Sequence, residues 1–183
     1  GSGIGDPGDT ISWGDPNNWT VNGGVDVAPS EVGDVTLSGN SASMETINLD
    51  GDTDTRINSL EVHGRYTLNE GKLLIATGNI DVAANGELVV GSNLASYTVL
   101  NKLGDGRLVI DGNTTDLEVA EGTMRLNGTV QNLTVDQGAT AVLAGRVKGD
   151  FENDGTVAIG GNRNVLDNLS TTSSVSLAVK TES

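Results

Sequence analysis

Residues 121–137 read EGTMRLNGTVQNLTVDQ. Apolar and polar residues alternate at Met124/Leu126 and again at Leu133/Val135, and Asn-Gly and Gln-Asn pairs follow or precede these short runs. Alternation with a period of two indicates strands that bury one face, and Gly and Asn dipeptides indicate tight turns. The stretch therefore predicts two or three short strands separated by turns, which together make one coil of a solenoid.

The same pattern recurs through the C-terminal two-thirds of the chain. A glycine precedes an alternating apolar run at each of six positions: Gly71, Gly86, Gly106, Gly122, Gly138 and Gly155. A near-constant step with internal alternation is typical of stacked coils, and about 16 residues at ~3.3 Å each enclose a narrow tube. The predicted fold is all-β, a parallel β-helix (β-solenoid) with coils of about 16–17 residues.

Composition limits the classes of partner. The chain has 183 residues, 25 acidic against 10 basic side chains and a formal net charge of −15, which disfavours binding to nucleic-acid phosphates and makes divalent cations natural partners. The absence of cysteine excludes disulfides, zinc-thiolate sites and thiol catalysis. No apolar run approaches the ~18 residues of a membrane span, so we expect no membrane-spanning segment in this sequence.

The chain divides into three predicted segments. Residues 1–43 carry all three prolines and both tryptophans, Trp13 and Trp19, and are predicted to form an N-terminal cap over the first coil. Residues 44–161 form the solenoid body. Residues 162–183 lose the glycine repeat and end in an alternating strand that forms either a terminal coil or an edge that pairs with another molecule.

The opening of the chain carries a family resemblance. The segment WGDPNNW at 13–19, then Pro29, GDVTL at 33–37 and INLDG at 47–51 resemble the start of secreted bacterial repeat proteins, in particular passenger regions of autotransporter-type surface adhesins. The later coils resemble the body of the same proteins, so the resemblance spans roughly 11–161. It implies a right-handed parallel β-helix displayed outside the cell.

The expected function follows from that resemblance. We expect an extracellular bacterial structural or adhesive β-solenoid, a stalk or displayed segment that assembles end to end into fibres, located outside the cell or at the bacterial surface. Its expected partners are other copies of the chain, or a glycan or protein of a host or cell surface. The alternative is a polysaccharide-binding or polysaccharide-cleaving β-helix.

One acidic segment matches the ligand spacing of a calcium loop. Oxygen-bearing side chains occupy positions 1, 3, 5, 9 and 12 of that pattern: Asp50, Asp52, Asp54, Asn58 and Glu61. The pattern departs at position 6, where Thr55 replaces the glycine of the sharp turn. These residues are the candidate metal site, with calcium as the candidate cofactor, and a solvated turn is the alternative.

No catalytic constellation accompanies the repeats. His63 is the single histidine, and no Gly-x-Ser-x-Gly elbow is present. The basic residues of the body are dispersed along the sequence, and we expect no cluster among them: Arg56, Arg65, Lys72, Arg107, Arg125, Arg146 and Lys148. We therefore predict that the chain is not an enzyme.

Overall fold

A computed structural model of the chain describes residues 10–15, 33–38, 43–49, 54–160 and 178–179. Over these residues the chain is all-β without a helix, and three parallel sheets stack as a β-solenoid of about six turns. The predicted fold class is confirmed. Within the described part, accordingly, no helix has the length and apolar character that crossing a membrane would require.

The strands form three faces. Sheet A has nine strands in the order β1 (Thr10–Ser12), β3 (Glu45–Asn48), β6 (Arg65–Asn69), β9 (Glu87–Val90), β12 (Arg107–Ile110), β15 (Thr123–Leu126), β18 (Thr140–Leu143), β21 (Thr156–Ile159) and β22 (Ala178–Val179). Sheet B has β2 (Asp34–Ser38), β5 (Ser59–His63), β8 (Asn79–Val82), β11 (Leu100–Leu103), β14 (Leu117–Val119), β17 (Leu133–Val135) and β20 (Phe151–Asn153). Sheet C has β4 (Asp54–Ile57), β7 (Lys72–Ile75), β10 (Asn93–Ser96), β13 (Asn113–Thr114), β16 (Thr129–Val130) and β19 (Arg146–Val147).

From β4 to β21 each coil visits sheet C, then sheet B, then sheet A, and its strands pair in parallel with those of adjacent coils. Alternate residues point inward, so aliphatic side chains of successive coils stack in columns and share one continuous core. In sheet A, for example, Leu108 and Ile110 lie in register with Met124 and Leu126 of the next coil. The two-residue alternation in the sequence thus becomes the inside and outside of the solenoid.

The coils have two lengths. One inward column of sheet A consists of the register partners Glu45, Tyr66, Leu88, Leu108, Met124, Ala141 and Val157. Their numbers show a repeat of roughly 20 per coil up to Leu108 and roughly 16 per coil after it, both within the range of solenoid repeats. The predicted coil length therefore applies only to the coils after Leu108. The earlier coils are longer in part because the sheet C strands β7 and β10 have four residues, whereas β13, β16 and β19 have two.

The glycines of the repeat occupy more than one corner. Gly86, Gly106 and Gly155 directly precede strands of sheet A, whereas Gly71 lies between β6 and β7, at the corner that leads into sheet C. The residue before β6 is instead Gly64. The interval from Gly71 to Gly86 in the sequence pattern therefore runs between two different corners of the solenoid and is not the length of one coil.

Large side chains are few in the core. Tyr66 and Phe151 are fully buried, and Trp13 is buried directly after β1, with its backbone N–H bonded to the carbonyl of Asn48. The other predicted cap residue, Trp19, lies outside the described residues, as does most of 1–43 and of 162–183. At the C-terminal side, β22 pairs in parallel with β21.

One inward position of sheet B is a lysine. Lys102 is fully buried, in register with Ile80 of the preceding coil and Val119 of the next. Its Nζ donates hydrogen bonds to the backbone carbonyls of Leu103 (2.7 Å), Gly104 (2.6 Å) and Glu121 (3.2 Å). The lysine thus ties together the corner between sheets B and A in two successive coils, at the point where the coils shorten.

Candidate functional site

The outer faces of the solenoid differ in charge. Sheet B presents acidic side chains, and the Lys and Arg residues that reach solvent within the described chain lie on the other two faces or directly beside them. The acidic residues are Asp34, Glu61, Asp81, Glu118 and Glu152. The basic residues are Arg65, Arg107 and Arg125 on sheet A, and Arg56, Lys72, Arg146 and Lys148 on or directly after strands of sheet C.

The three arginines of sheet A line one groove, which we call the arginine groove. It has a volume of about 590 Å³ and runs across successive strands of sheet A, from β6 to β18. Its lining consists of Arg65, Asn85, Gly86, Glu87, Asp105, Gly106, Arg107, Thr123, Arg125 and Val142. The prediction that the basic residues form no cluster is therefore wrong.

A carboxylate holds two of these arginines. Arg65 and Arg107 lie in the same outward column, two coils apart, and Glu87 lies between them. Arg65 Nη2 is 3.2 Å from Glu87 Oε1, and Arg107 Nη1 is 3.5 Å from Glu87 Oε2. The Glu87 side chain is only 19% exposed, whereas both arginines are nearly half exposed. Glu87 therefore fixes both guanidinium groups while leaving part of each accessible to solvent.

The third arginine is held by an amide. Arg125 Nε donates to Asn127 Oδ1 at 2.8 Å, and Asn127 Nδ2 donates to Asp111 Oδ1 at 2.7 Å. The register partners of Arg125 on the two adjacent coils are Val109 and Val142, both in the outward column of sheet A. The arginine side chain is therefore flanked by apolar surface on both sides.

The groove carries a local excess of positive charge. Its lining includes three guanidinium groups and two carboxylates, Glu87 and Asp105. Glu87 is engaged by two of the arginines. The arrangement can therefore bind an anion through guanidinium N–H groups and pack apolar parts of a ligand against Val142.

Sequence reasoning missed this cluster because the spacing from Arg65 to Arg107 is much larger than the spacing from Arg107 to Arg125. A constant coil length of about 16 residues would place Arg107 and Arg125 close together but Arg65 at a different position around the solenoid. They share a face because the earlier coils are longer than the later ones. The signal that could have shown this difference is the glycine spacing, because the intervals Gly64–Gly86 and Gly86–Gly106 are longer than Gly106–Gly122.

The predicted calcium residues are dispersed where the structure describes them. Asp50 and Asp52 lie outside the described residues. Asp54 faces outward from sheet C and accepts a hydrogen bond from Lys72 Nζ at 3.0 Å, whereas Glu61 faces outward from sheet B. Asn58 lies at the corner between them and donates through Nδ2 to Asp34 Oδ1.

Calcium binding therefore stays a prediction with a direct test. Among the described residues, no group of three or more His, Asp or Glu side chains converges as a metal site would require. If the loop at 50–61 binds calcium, saturating calcium will stabilise the folded chain by about 2.7 kcal/mol at about 100 times the Kd. Thermal unfolding with calcium, with magnesium and with EDTA measures this, and a midpoint in calcium no higher than the one in EDTA would contradict the loop.

His63 has a carboxylate partner. Its Nε2 lies 2.7 Å from Glu61 Oε1, with both side chains about half exposed on sheet B. Glu61 also accepts a hydrogen bond from Thr36 Oγ1 at 3.3 Å. The pair is an exposed surface contact, and the neighbours that these bonds identify supply no nucleophile activated by the imidazole.

A second depression lies at the end of the acidic face. Its lining is Ala120, Asp136, Gln137 and Asp154, with a volume of about 590 Å³. Burial raises the pKa of the nearby Glu118, and charge repulsion by Asp136 and a hydrogen bond between the two carboxyl groups act in the same direction. Two carboxyl groups in such contact share a proton more readily than isolated carboxyls. Within the described chain they do not belong to a convergent group of three acidic ligands.

None of the protein families, curated proteins or solved structures to which the chain was compared matches it.

Proposed function

We propose that this chain is an extracellular bacterial structural and adhesive β-solenoid, a stalk or displayed segment located at the cell surface. The observation that carries the proposal is the uninterrupted stack of coils around one narrow core. A stack of about six coils at ~4.8 Å each gives a body about 29 Å long over the paired coils. Its side chains alternate between the core and the outer faces, so its functional chemistry lies on the sides.

The outer faces of the solenoid support the adhesive part of the proposal. The three faces differ in charge, and solenoids characteristically bind through extended surfaces. The resemblance of the N-terminal segment to adhesin passengers supports placing this surface outside the cell. The chain is also free of cysteine, acidic and rich in glycine, a composition that suits an exported repeat protein.

Adhesion can be measured with the purified chain on beads. We expect beads carrying the chain to adhere to glycan-coated surfaces or host cells more than beads carrying an unrelated acidic protein of equal charge. The unfolded control is the variant Gly112→Ala/Gly128→Ala/Gly145→Ala, in which a Cβ at each position would overlap a carbonyl oxygen of the preceding coil and disrupt the stack. Equal adhesion of all three bead types would contradict the adhesive function.

The proposal includes association of copies end to end. Size-exclusion chromatography over a range of concentrations, with and without residues 171–183, measures it. We expect the full chain to elute earlier as concentration rises and the shortened chain to elute as a monomer. A constant monomer position for the full chain would remove fibre formation from the proposal.

A further inference from the structure

The arginine groove has the opposite sign of charge from the chain as a whole. The net charge is −15, yet Arg65, Arg107 and Arg125 meet in one groove on sheet A. Guanidinium groups bind carboxylates through two parallel hydrogen bonds. A local excess of positive charge, held in place by Glu87 and Asn127, is suited to recognise an anion.

The acidic sheet B does not cancel this attraction. Its outward side chains lie on a different sheet of the solenoid from the groove, and charges are screened over about 8 Å at physiological salt. A ligand that contacts the groove therefore meets three guanidinium groups and the two lining carboxylates, Glu87 and Asp105, which together leave a local excess of positive charge. Binding should weaken steeply as salt concentration rises, because the contacts are ionic and Arg65 and Arg107 are nearly half exposed.

The spacing of the arginines selects among anionic ligands. Arg65 and Arg107 lie in one column two coils apart, which is about 9.6 Å along the solenoid axis. An extended peptide presents side chains on one face every ~6.8 Å, so its carboxylates fall out of step with this column. In a 1,4-linked uronic acid chain whose sugars alternate in direction, carboxylates return to the same side once per disaccharide. A disaccharide is longer than two amino acids of an extended peptide, so this spacing is closer to that of the arginine column.

We propose that the arginine groove binds a linear polysaccharide that bears carboxylates, running along the solenoid axis. Arg65 and Arg107 contact carboxylates on one side of the polymer. Arg125, one coil beyond Arg107, contacts the next carboxylate along the polymer. Val142 in the groove wall, in register with Arg125, packs against the C–H faces of the sugars. The inference rests on the proposed adhesive function, for which it names one partner.

The test uses sodium polygalacturonate as the probe, with EDTA present so that calcium cannot bridge the polymer to acidic side chains. Neutral dextran and poly-L-glutamate serve as comparison ligands, and affinity is measured by biolayer interferometry on the immobilised chain at low and physiological salt. The groove variant is Arg65→Gln/Arg107→Gln/Arg125→Gln. The matched control, Arg56→Gln/Arg146→Gln/Lys148→Gln, removes the same charge from the sheet C side.

We expect the unmodified chain to bind polygalacturonate and not dextran, and the groove variant to lose at least about tenfold in affinity, because it removes three charge-assisted contacts. The sheet C variant should change by less than about threefold, a difference typical of exposed charges. Arg65→Lys/Arg107→Lys/Arg125→Lys keeps the charge but not the planar fork, and should show an intermediate loss. Circular dichroism checks that each variant folds. If the glutamine variant does not fold, the lysine variant is used in its place.

Three results would overturn the inference. Equal losses in the groove and sheet C variants would assign binding to net charge. Preference for polyglutamate would assign the groove to an acidic protein segment. Absence of polygalacturonate binding would remove the carboxylated polysaccharide as a partner, while the adhesion of coated beads would still decide the proposed function separately.

Discussion

Gly128→Ala will lower the free energy of unfolding by about 3 kcal/mol, the upper part of the range for overpacked sites. A Cβ at Gly128 would overlap the carbonyl oxygen of Gly112 in the preceding coil, a contact that requires the backbone to move. The same corner repeats at Gly112 and Gly145, where a Cβ would also overlap a carbonyl oxygen of the previous coil. Because the coils are in register, a backbone shift that relieves the overlap at one coil also displaces the neighbouring coils.

Gly160→Ala is the matched control in the last described coil. The nearest atom to a Cβ there is 4.0 Å away, on Val142, so the change should be within about 0.5 kcal/mol, as for ordinary surface substitutions. Urea unfolding of both variants measures the difference. Equal stabilities of Gly128→Ala and Gly160→Ala would contradict the close stacking of carbonyls and glycines at this corner.

Lys102→Ala will destabilise the fold by about 2.4 kcal/mol, from the three buried methylene groups that it removes at about 0.8 kcal/mol each. The substitution also removes the hydrogen bonds to Leu103, Gly104 and Glu121. Lys102→Met separates the two contributions, because it fills most of the same volume without donating hydrogen bonds. We expect Lys102→Met to lose less stability than Lys102→Ala, and a fully stable Lys102→Ala would contradict the inward position of this side chain.

The pH dependence of stability gives Lys102 a second signature. Burial lowers its pKa from the ordinary value of 10.5 to about 8, while the neighbouring Asp81, Glu121 and Asp105 act in the opposite direction. Because the unfolded chain then binds more protons between these two values, stability rises as pH increases from about 8 to about 10.5. The Met variant lacks this group, so its stability should rise less over the same window.

Tyr66 acts in the opposite sense at higher pH. Burial and the charge of Glu45 raise its pKa from 10.0 to about 12, so the unfolded chain loses that proton first and stability falls as pH rises above about 10. The comparison for Lys102 is therefore made by urea unfolding from about pH 7.5 to about pH 10. Parallel curves for the unmodified chain and Lys102→Met would contradict the lowered pKa.

The fold could be predicted because its rules are local. Period-two alternation at segments such as Met124/Leu126 and Leu133/Val135 sets which side chains enter the core, and both pairs are buried in register as expected. Three of the recurring glycines, Gly106, Gly122 and Gly155, mark corners where a Cβ would overlap a backbone oxygen of the preceding coil. Both signals are visible in the sequence without knowledge of the register between coils.

The candidate site could not be predicted in the same way. Whether Arg65, Arg107 and Arg125 share a face depends on the length of each coil, and shorter sheet C strands change that length without altering the alternation. The inward Lys102 breaks the rule that charged residues face solvent, because three carbonyls at a corner replace its hydration. Such exceptions are decided by register, which alternation alone does not fix.

The fold and the arginine groove both depend on which residues of adjacent coils lie in register. Disulfide trapping measures this register in a chain that has no cysteine of its own. Thr123, Thr140 and Thr156 occupy one outward column of sheet A in three consecutive coils. Neighbouring coils place Cα atoms about 4.8 Å apart, within the range of a disulfide, whereas coils two apart are separated by about 10 Å, beyond it. Mass spectrometry after mild oxidation of dilute protein reads the intramolecular bond.

We expect rapid and nearly complete bond formation in Thr123→Cys/Thr140→Cys and in Thr140→Cys/Thr156→Cys, and none in Thr123→Cys/Thr156→Cys. Bond formation in the last pair, or its absence in the first two, would contradict the stacked coils on which the fold, the arginine groove and the proposed function depend.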